Sequence, residues 1–185
     1  MIVGIEGKIV KKEPTVLHIK TASGLTYRVH ISLFSSSKII SEDIALYVTQ
    51  VIREDHHSMY GFVDMDEKNI FDTVIKLNGI GPSTALAICS TLSPSDFAFA
   101  LTNQSIEAFK RVPGIGPKSA KRILVELSDF SLETLKLGTA SRSQLDASLA
   151  LESLGFKKDR VSKILSTCKS TSTEELIKEA LKKLT

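Results

Sequence analysis

The strongest constraint on the fold is a repeat. Leu77-Asn78-Gly79-Ile80-Gly81-Pro82-Ser83-Thr84-Ala85 returns thirty-five positions later as Val112-Pro113-Gly114-Ile115-Gly116-Pro117-Lys118-Ser119-Ala120, and the echo continues through Ile88 and Ile123 to Leu92 and Leu127. Each copy follows one amphipathic helical stretch and opens another, so each reads as helix, tight Gly-x-Gly hairpin, helix. Glycine at the first and third positions permits positive φ and close approach of another backbone. Ile80 and Ile115 are expected to point inward and pin the turn. Pro82 and Pro117 suit the first helical position, where a missing N–H costs nothing. Gly81 and Gly116 then fall at the N-caps without a side-chain acceptor, which leaves the first-turn N–H groups free for an outside anion. Two copies suggest a clamp for two phosphates, or for two stretches of phosphate backbone.

The copies differ in charge. Lys118, Lys121 and Arg122 ride on the first turns after the second hairpin, with Lys110 and Arg111 just before it. Cations are unfavourable at a helix N-terminus, so five of them around one end make sense where phosphates are neutralised. No base occurs from Leu77 to Leu92, and there Ser83 and Thr84 add only hydroxyls. The candidate DNA-backbone contacts are Gly79, Ile80, Gly81, Ser83, Thr84, Gly114, Ile115, Gly116, Lys118, Lys121 and Arg122. Dinucleotide binding is excluded, because the third fingerprint position falls on Thr84 and Ser119 and helices lead into both loops.

The net charge of +3 is not a general basic coat: residues 1–64 and 65–130 each hold seven bases and seven acids, and the excess lies in 131–185. A nucleic-acid footprint is therefore local. No apolar run approaches the ~20 residues of a membrane span, and no signal peptide is visible. Cys89 and Cys168 form neither a metal set nor a disulfide framework, which fits a reducing cytoplasm. His56 and His57, adjacent and without a third ligand, read as an exposed turn, so no metal is expected.

Residues 1–64 read as strands: Ile2 to Val10, Val16 to Ala22, Leu25 to Ile31, Ile44 to Arg53 and Met59 to Val63, with a hairpin turn at Ala22-Ser23-Gly24. Short strands at this spacing suit an OB-like barrel. A domain of that size buries only ~60% of its unfolded surface, so it is expected to pack on its neighbour. Residues 65–130 change to helical period and form an all-α block around the hairpins. Residues 131–142 read as a flexible linker. Residues 143–185 read as a three-helix module: Ser143 caps a helix with Leu145, Leu149 and Leu154 inward, ended by Gly155. Val161, Ile164 and Leu165 mark a second helix, and Ser172-Thr173-Glu174-Glu175 is a capping box for a third. The fold class is α+β, multidomain.

This order of parts resembles the RuvA family, the bacterial Holliday-junction-binding subunits of a branch-migration complex. The resemblance rests on the opening Met1-Ile2-Val3-Gly4-Ile5-Glu6-Gly7, on Val51-Ile52-Arg53-Glu54-Asp55 leading to Tyr60-Gly61-Phe62, on the paired hairpins, and more loosely on Leu154-Gly155-Phe156. It implies a homotetramer, or two facing tetramers, holding a four-way junction open in square-planar form, with hairpin pairs gripping the backbone of each arm. It implies an acidic pin at Glu54 and Asp55 and, in the larger complex, the RuvC resolvase. It assigns ATP hydrolysis to the RuvB motor, recruited by the last module, where Leu154 and Phe156 are candidate contacts.

The chain itself offers no motor and no cofactor site: Gly116-Pro117-Lys118-Ser119 lacks the Gly-Lys pair of a phosphate loop, and no catalytic set is evident. Intrinsic catalysis is not expected. Two alternatives stand beside this reading. A general duplex-binding double-hairpin scaffold would ignore branching. The other is a glycosylase or nuclease; the glycosylase pattern resembling Pro113-Gly114-Ile115-Gly116 expects a catalytic aspartate roughly twenty residues downstream, where the chain has linker and Glu133.

Overall fold

A computed structural model describes residues 1–54, 57–127, 139–156, 158–165, 167–168, 170 and 172–184. They fall into two compact units, Met1–Lys136 and Leu137–Thr185. The first opens with strands β1 (Gly4–Glu13), β2 (Val16–Lys20) and β3 (Thr26–Ile31), then helix α1 (Leu33–Lys38), then β4 (Asp43–Ile52) and β5 (His57–Phe62). The strands close a barrel in the order β1-β2-β3-β5-β4, with β4 returning to β1 and β3 parallel to β5. A bulge between Ile9 and Lys11 bends β1 so that it can pair with both neighbours. The alternating strand pattern fills the interior with Leu17, Ile19, Val29, Ile31, Leu46 and Val48. At Gly61 a Cβ would lie 2.6 Å from Val29 Cγ1, so only glycine admits that strand contact.

α1 has no counterpart in the strand-only reading of residues 1–64. Its six residues, Leu-Phe-Ser-Ser-Ser-Lys, carry no apolar stripe. The helix exists because Ser32 caps it, its hydroxyl accepting from Ser35 N at 2.9 Å, and because Ser35 is buried against a neighbouring helix.

That neighbour is α2 (Met65–Val74), which begins the helical block α3 (Pro82–Thr91), α4 (Pro94–Thr102), α5 (Ile106–Lys110) and α6 (Pro117–Leu127). Asp64 caps α2, and its carboxylate accepts from Asp66 N at 2.9 Å. Barrel and helices share one core. Tyr60 stacks on Phe71 with centroids 4.9 Å apart, Phe62 meets Phe71 at 5.1 Å, and His30 stacks on Tyr60 at 5.4 Å. Burial pushes the Tyr60 hydroxyl pKa up and the His30 pKa down. At the centre of the seam sits Glu67, 2% exposed, whose carboxylate accepts from Ser32 Oγ and, at 2.7 Å, from Ser35 Oγ. Ser35 Oγ accepts in turn from Val63 N at 3.1 Å. Burial raises the Glu67 carboxyl pKa, opposed by the two serine hydroxyls. Thr49 Oγ1 donates to Asp72 Oδ1 at 2.6 Å and Leu33 N to Ser90 Oγ at 3.1 Å, extending the seam to α3.

The second unit contains α7 (Thr139–Ser153), α8 (Lys158–Leu165) and α9 (Thr173–Leu184) around Ala147, Leu151, Val161, Leu165, Leu176 and Ala180. α7 begins at Thr139, inside the stretch read as linker and ahead of the Ser143 cap; residues 128–138 lie outside the described ones. The inward face of α7 also corrects the sequence reading. Leu149 and Leu154 are exposed and Ala147 and Leu151 are buried, because the small alanine lets neighbouring helices approach. The Leu145 side chain is outside the described residues. Gly155 takes φ 91 after α7, and Glu175 N donates to Ser172 Oγ at 3.3 Å, half of a capping box.

Candidate nucleic-acid interface

The two hairpins close with the same bonds. Leu77 N donates to Val74 O and Ile80 N to Leu77 O, each at 3.1 Å; the counterparts Val112 N to Phe109 O and Ile115 N to Val112 O are also 3.1 Å. Ala85 N to Gly81 O and Ala120 N to Gly116 O, both 2.9 Å, are the first helical bonds of α3 and α6. Ile80 and Ile115 are buried at 6% exposure each, and Leu77, Ala85, Ile88 and Leu92 are matched inside by Val112, Ala120, Ile123 and Leu127. The repeat is thus a repeat of core positions as well as of loops. Ile80 and Ile115 enter the site as plugs, since their amides are already spent on closing the turn.

What remains open is the entrance to each helix. Gly81, at φ −85 and ψ 170, caps α3 without a side-chain bond, and Pro82 occupies the first turn. Among the described residues no acceptor engages the amides of Gly81, Ser83 and Thr84, nor those of Gly116, Lys118 and Ser119. Gly116 and Ser83 are exposed, and Gly81 and Thr84 are half-buried. Uncapped amides and the helix dipole together favour an anion at both entrances.

The glycines divide into two kinds. Gly79 and Gly114 sit at φ 71 and φ 84, the left-handed region that a side chain strains. Gly81 and Gly116 lack positive φ, and a Cβ on either would meet nothing within 4 Å. Nothing inside the protein demands glycine at these two positions, so the bare Cα suits the approach of something from outside. Of the two freedoms glycine offers at these positions, the first-position pair takes the positive φ.

Lys118, Lys121 and Arg122 are exposed on α6. Among the described residues Lys118 and Lys121 have no carboxylate partner, whereas Lys110 Nζ pairs with Glu107 at 2.8 Å and Arg122 Nε with Glu126 Oε1 at 3.6 Å. Arg122 also reaches the other hairpin: a Cβ on Gly79 would lie 2.8 Å from Arg122 Nη2. Glu126 Oε2 accepts from Asn78 N at 3.3 Å. The i, i+4 spacing of Arg122 and Glu126 is legible in the sequence, but Asn78, whose amide Glu126 accepts, lies 48 residues away and carries no such signal.

Glu54 stands exposed in the connection between β4 and β5, whose last described pair is Ile52 with His57. Asp55 and His56 lie outside the described residues. Leu154 is 62% exposed, while Phe156 packs against the core of the second unit. Burial drives the Cys89 thiol pKa well up, which makes it an inert core residue. No group of three metal-ligating side chains occurs among the described residues, and none of their helices is singly long and apolar enough to cross a membrane.

The pattern of the RuvA N terminal domain matches residues 1–61, that of a SAM-like helix-hairpin-helix tandem matches residues 71–129, and that of the RuvA C-terminal domain matches residues 144–185. A protein of Campylobacter curvus is 54% identical over 185 residues, covering 100% of both chains. The chain belongs to the RuvA family. The matched segments correspond to the barrel, the two hairpins with their helices, and α7 to α9. A relative from Sulfurimonas denitrificans is 50% identical over 186 residues, covering 100% of this chain and 98% of its own, and one from Campylobacter fetus is 50% identical over 185 residues, covering 100% of each. Each of these relatives is named Holliday junction branch migration complex subunit RuvA. The RuvA barrel and RuvA hairpins lie in one compact unit, so α2 leads from the barrel seam straight into the first hairpin.

Proposed function

We propose that this chain binds four-way junction DNA without reading its sequence, holds it open in square-planar form as a homotetramer, and passes it to the ATP-driven RuvB motor through α7–α9. The RuvC resolvase would act on the same assembly. The observation that carries the reading is the pair of exposed, uncapped helix entrances whose third-position glycines serve nothing inside the protein. Backbone amides and lysines touching phosphates position DNA without reading bases. A fourfold assembly matches four arms, one hairpin pair to each.

Within that assembly Glu54 and Asp55 act as a repulsive pin. Like charges ~4 Å apart cost about 1 kcal/mol in water and several times more at lower effective dielectric. Four acidic tips at the centre would keep phosphates from collapsing inward and would favour the open crossover over linear duplex. The domains act as barrel (1–64), grip (65–130) and motor contact (α7 to α9, from Thr139 onward), with Leu154 offered to the motor. The chain performs no catalysis of its own.

The test is competition between a four-way junction and linear duplex of the same sequence at matched salt, with native mass measured alongside. Strong preference for the junction by a fourfold species is the expected result. Equal binding of both DNAs would favour a general duplex scaffold, and base excision or strand cleavage without a partner would favour an enzyme. Either result overturns the proposal.

A further inference from the structure

We infer that Arg122 serves the first hairpin, not the one it follows in sequence, and that Glu126 is the positioning residue that holds it there. This rests on the double-hairpin reading above and assigns a cation to each phosphate site within it.

The first hairpin has a deficit. Its entrance offers uncapped amides but no base from Leu77 to Leu92. The second hairpin has Lys118 directly at its entrance. Arg122 lies one turn further along α6, and its guanidinium rests against Gly79 of the first hairpin, on the side where a side chain would project. Glu126 fixes this placement from both ends. One carboxylate oxygen accepts the Asn78 amide at 3.3 Å and the other faces Arg122 Nε at 3.6 Å. With Nε turned to the carboxylate, the two Nη atoms project over the first hairpin, at 2.8 and 3.4 Å from a Cβ position on Gly79. A planar guanidinium fork held this way suits a phosphate, and a flexible ammonium does not replace it. Gly79 is therefore required twice, for its φ of 71 and for the space Arg122 occupies.

The role of Glu126 runs against simple charge counting. A carboxylate beside phosphate strands repels them, so its removal alone should tighten binding. A positioning role has the opposite consequence, because the first hairpin loses both its strut and its oriented cation.

The experiment uses the full chain, a synthetic four-way junction and salt titration. Glu126→Ala is expected to weaken junction binding about tenfold despite the more favourable charge, the scale of a lost hydrogen bond to a charged group. Glu126→Gln, which keeps an acceptor for Asn78, should fall between, and Arg122→Lys should lose about as much as Glu126→Ala. Amide exchange should quicken at Asn78 and Gly79 in Glu126→Ala and stay unchanged at Gly114 and Gly116. In double-mutant cycles Arg122→Ala should couple to Ser83→Ala and add independently to Lys118→Ala. Binding by Glu126→Ala or Glu126→Gln as tight as the unsubstituted protein, or coupling of Arg122 to Lys118 alone, overturns the assignment. If Glu126→Ala fails to fold, Glu126→Gln and the Arg122 cycles decide it. Junction binding that persists while the cycles contradict the pairing removes only this inference, whereas an unsubstituted protein that binds no DNA removes the functional reading as well.

Discussion

The first and second hairpins close with the same hydrogen bonds at the same lengths, yet they stand in different surroundings. The first grows out of α2, whose Glu67 and Phe71 are sunk in the barrel seam, and its nearest base is Lys76 just before the turn, with none from Leu77 to Leu92. The second follows α4 and α5, held by Phe97 against Phe109 with centroids 5.7 Å apart, and it carries exposed lysines at its entrance. One copy springs from the barrel seam and has a base only before its turn, and the other has bases on both sides of its turn. Duplication of a backbone motif thus fixes shape twice, while placement gives the two copies different surroundings and charge.

The largest expected effect tests the equivalence of the two turns. Ile80→Ala and Ile115→Ala each remove a buried plug and should cost about 2–5 kcal/mol. Similar losses in denaturant unfolding would sustain the comparison, and a loss at one position alone would break it.

Next comes the mounting of the first hairpin. Glu67→Ala leaves two buried serine hydroxyls without their acceptor and should cost about 2 kcal/mol or more. Because burial raises the folded pKa of Glu67 above the ordinary carboxyl value, the folded state holds the proton more tightly than the unfolded chain. That contribution to stability is present below the unfolded value and is lost as pH rises through the folded one. Unfolding midpoints measured from about pH 4 to 8 should therefore decline for the unsubstituted protein relative to Glu67→Gln. Parallel curves would refute this.

The first-position glycines sharpen the contrast. Gly114→Ala should cost about 1–2 kcal/mol for left-handed backbone alone. Gly79→Ala adds displacement of Arg122, so it should also weaken DNA binding, which unfolding and junction titration together would separate. Lys118→Ala should lower the salt slope of binding by about 0.9, evenly across DNA sequences, whereas Ser83→Ala should leave the slope unchanged. Smallest in stability are Gly81→Ala and Gly116→Ala, about 1 kcal/mol or less by unfolding for the poorer N-cap, yet both should impair junction binding.

Much of this was legible beforehand. Helix starts at Pro82 and Pro117 follow from proline and cap chemistry, and the inward set Ile80, Ala85, Ile88 with its partners follows from the repeat. Short-range signals failed where tertiary neighbours decided. α1 is a serine-rich turn stabilised by a carboxylate 32 and 35 residues away. Leu149, apolar and correctly spaced for a helix, faces outward because the smaller Ala147 packs closer.

By itself the sequence determined the two glycine-lipped turns, their spacing and the family, since each depends on local backbone preference and on periodicity within a few residues. Only the tertiary structure decided that Glu67 joins barrel to helical block and that Arg122 leans across to Gly79. Those contacts pair side chains far apart along the chain, and charge and burial acquire their meaning only after the core has brought them together.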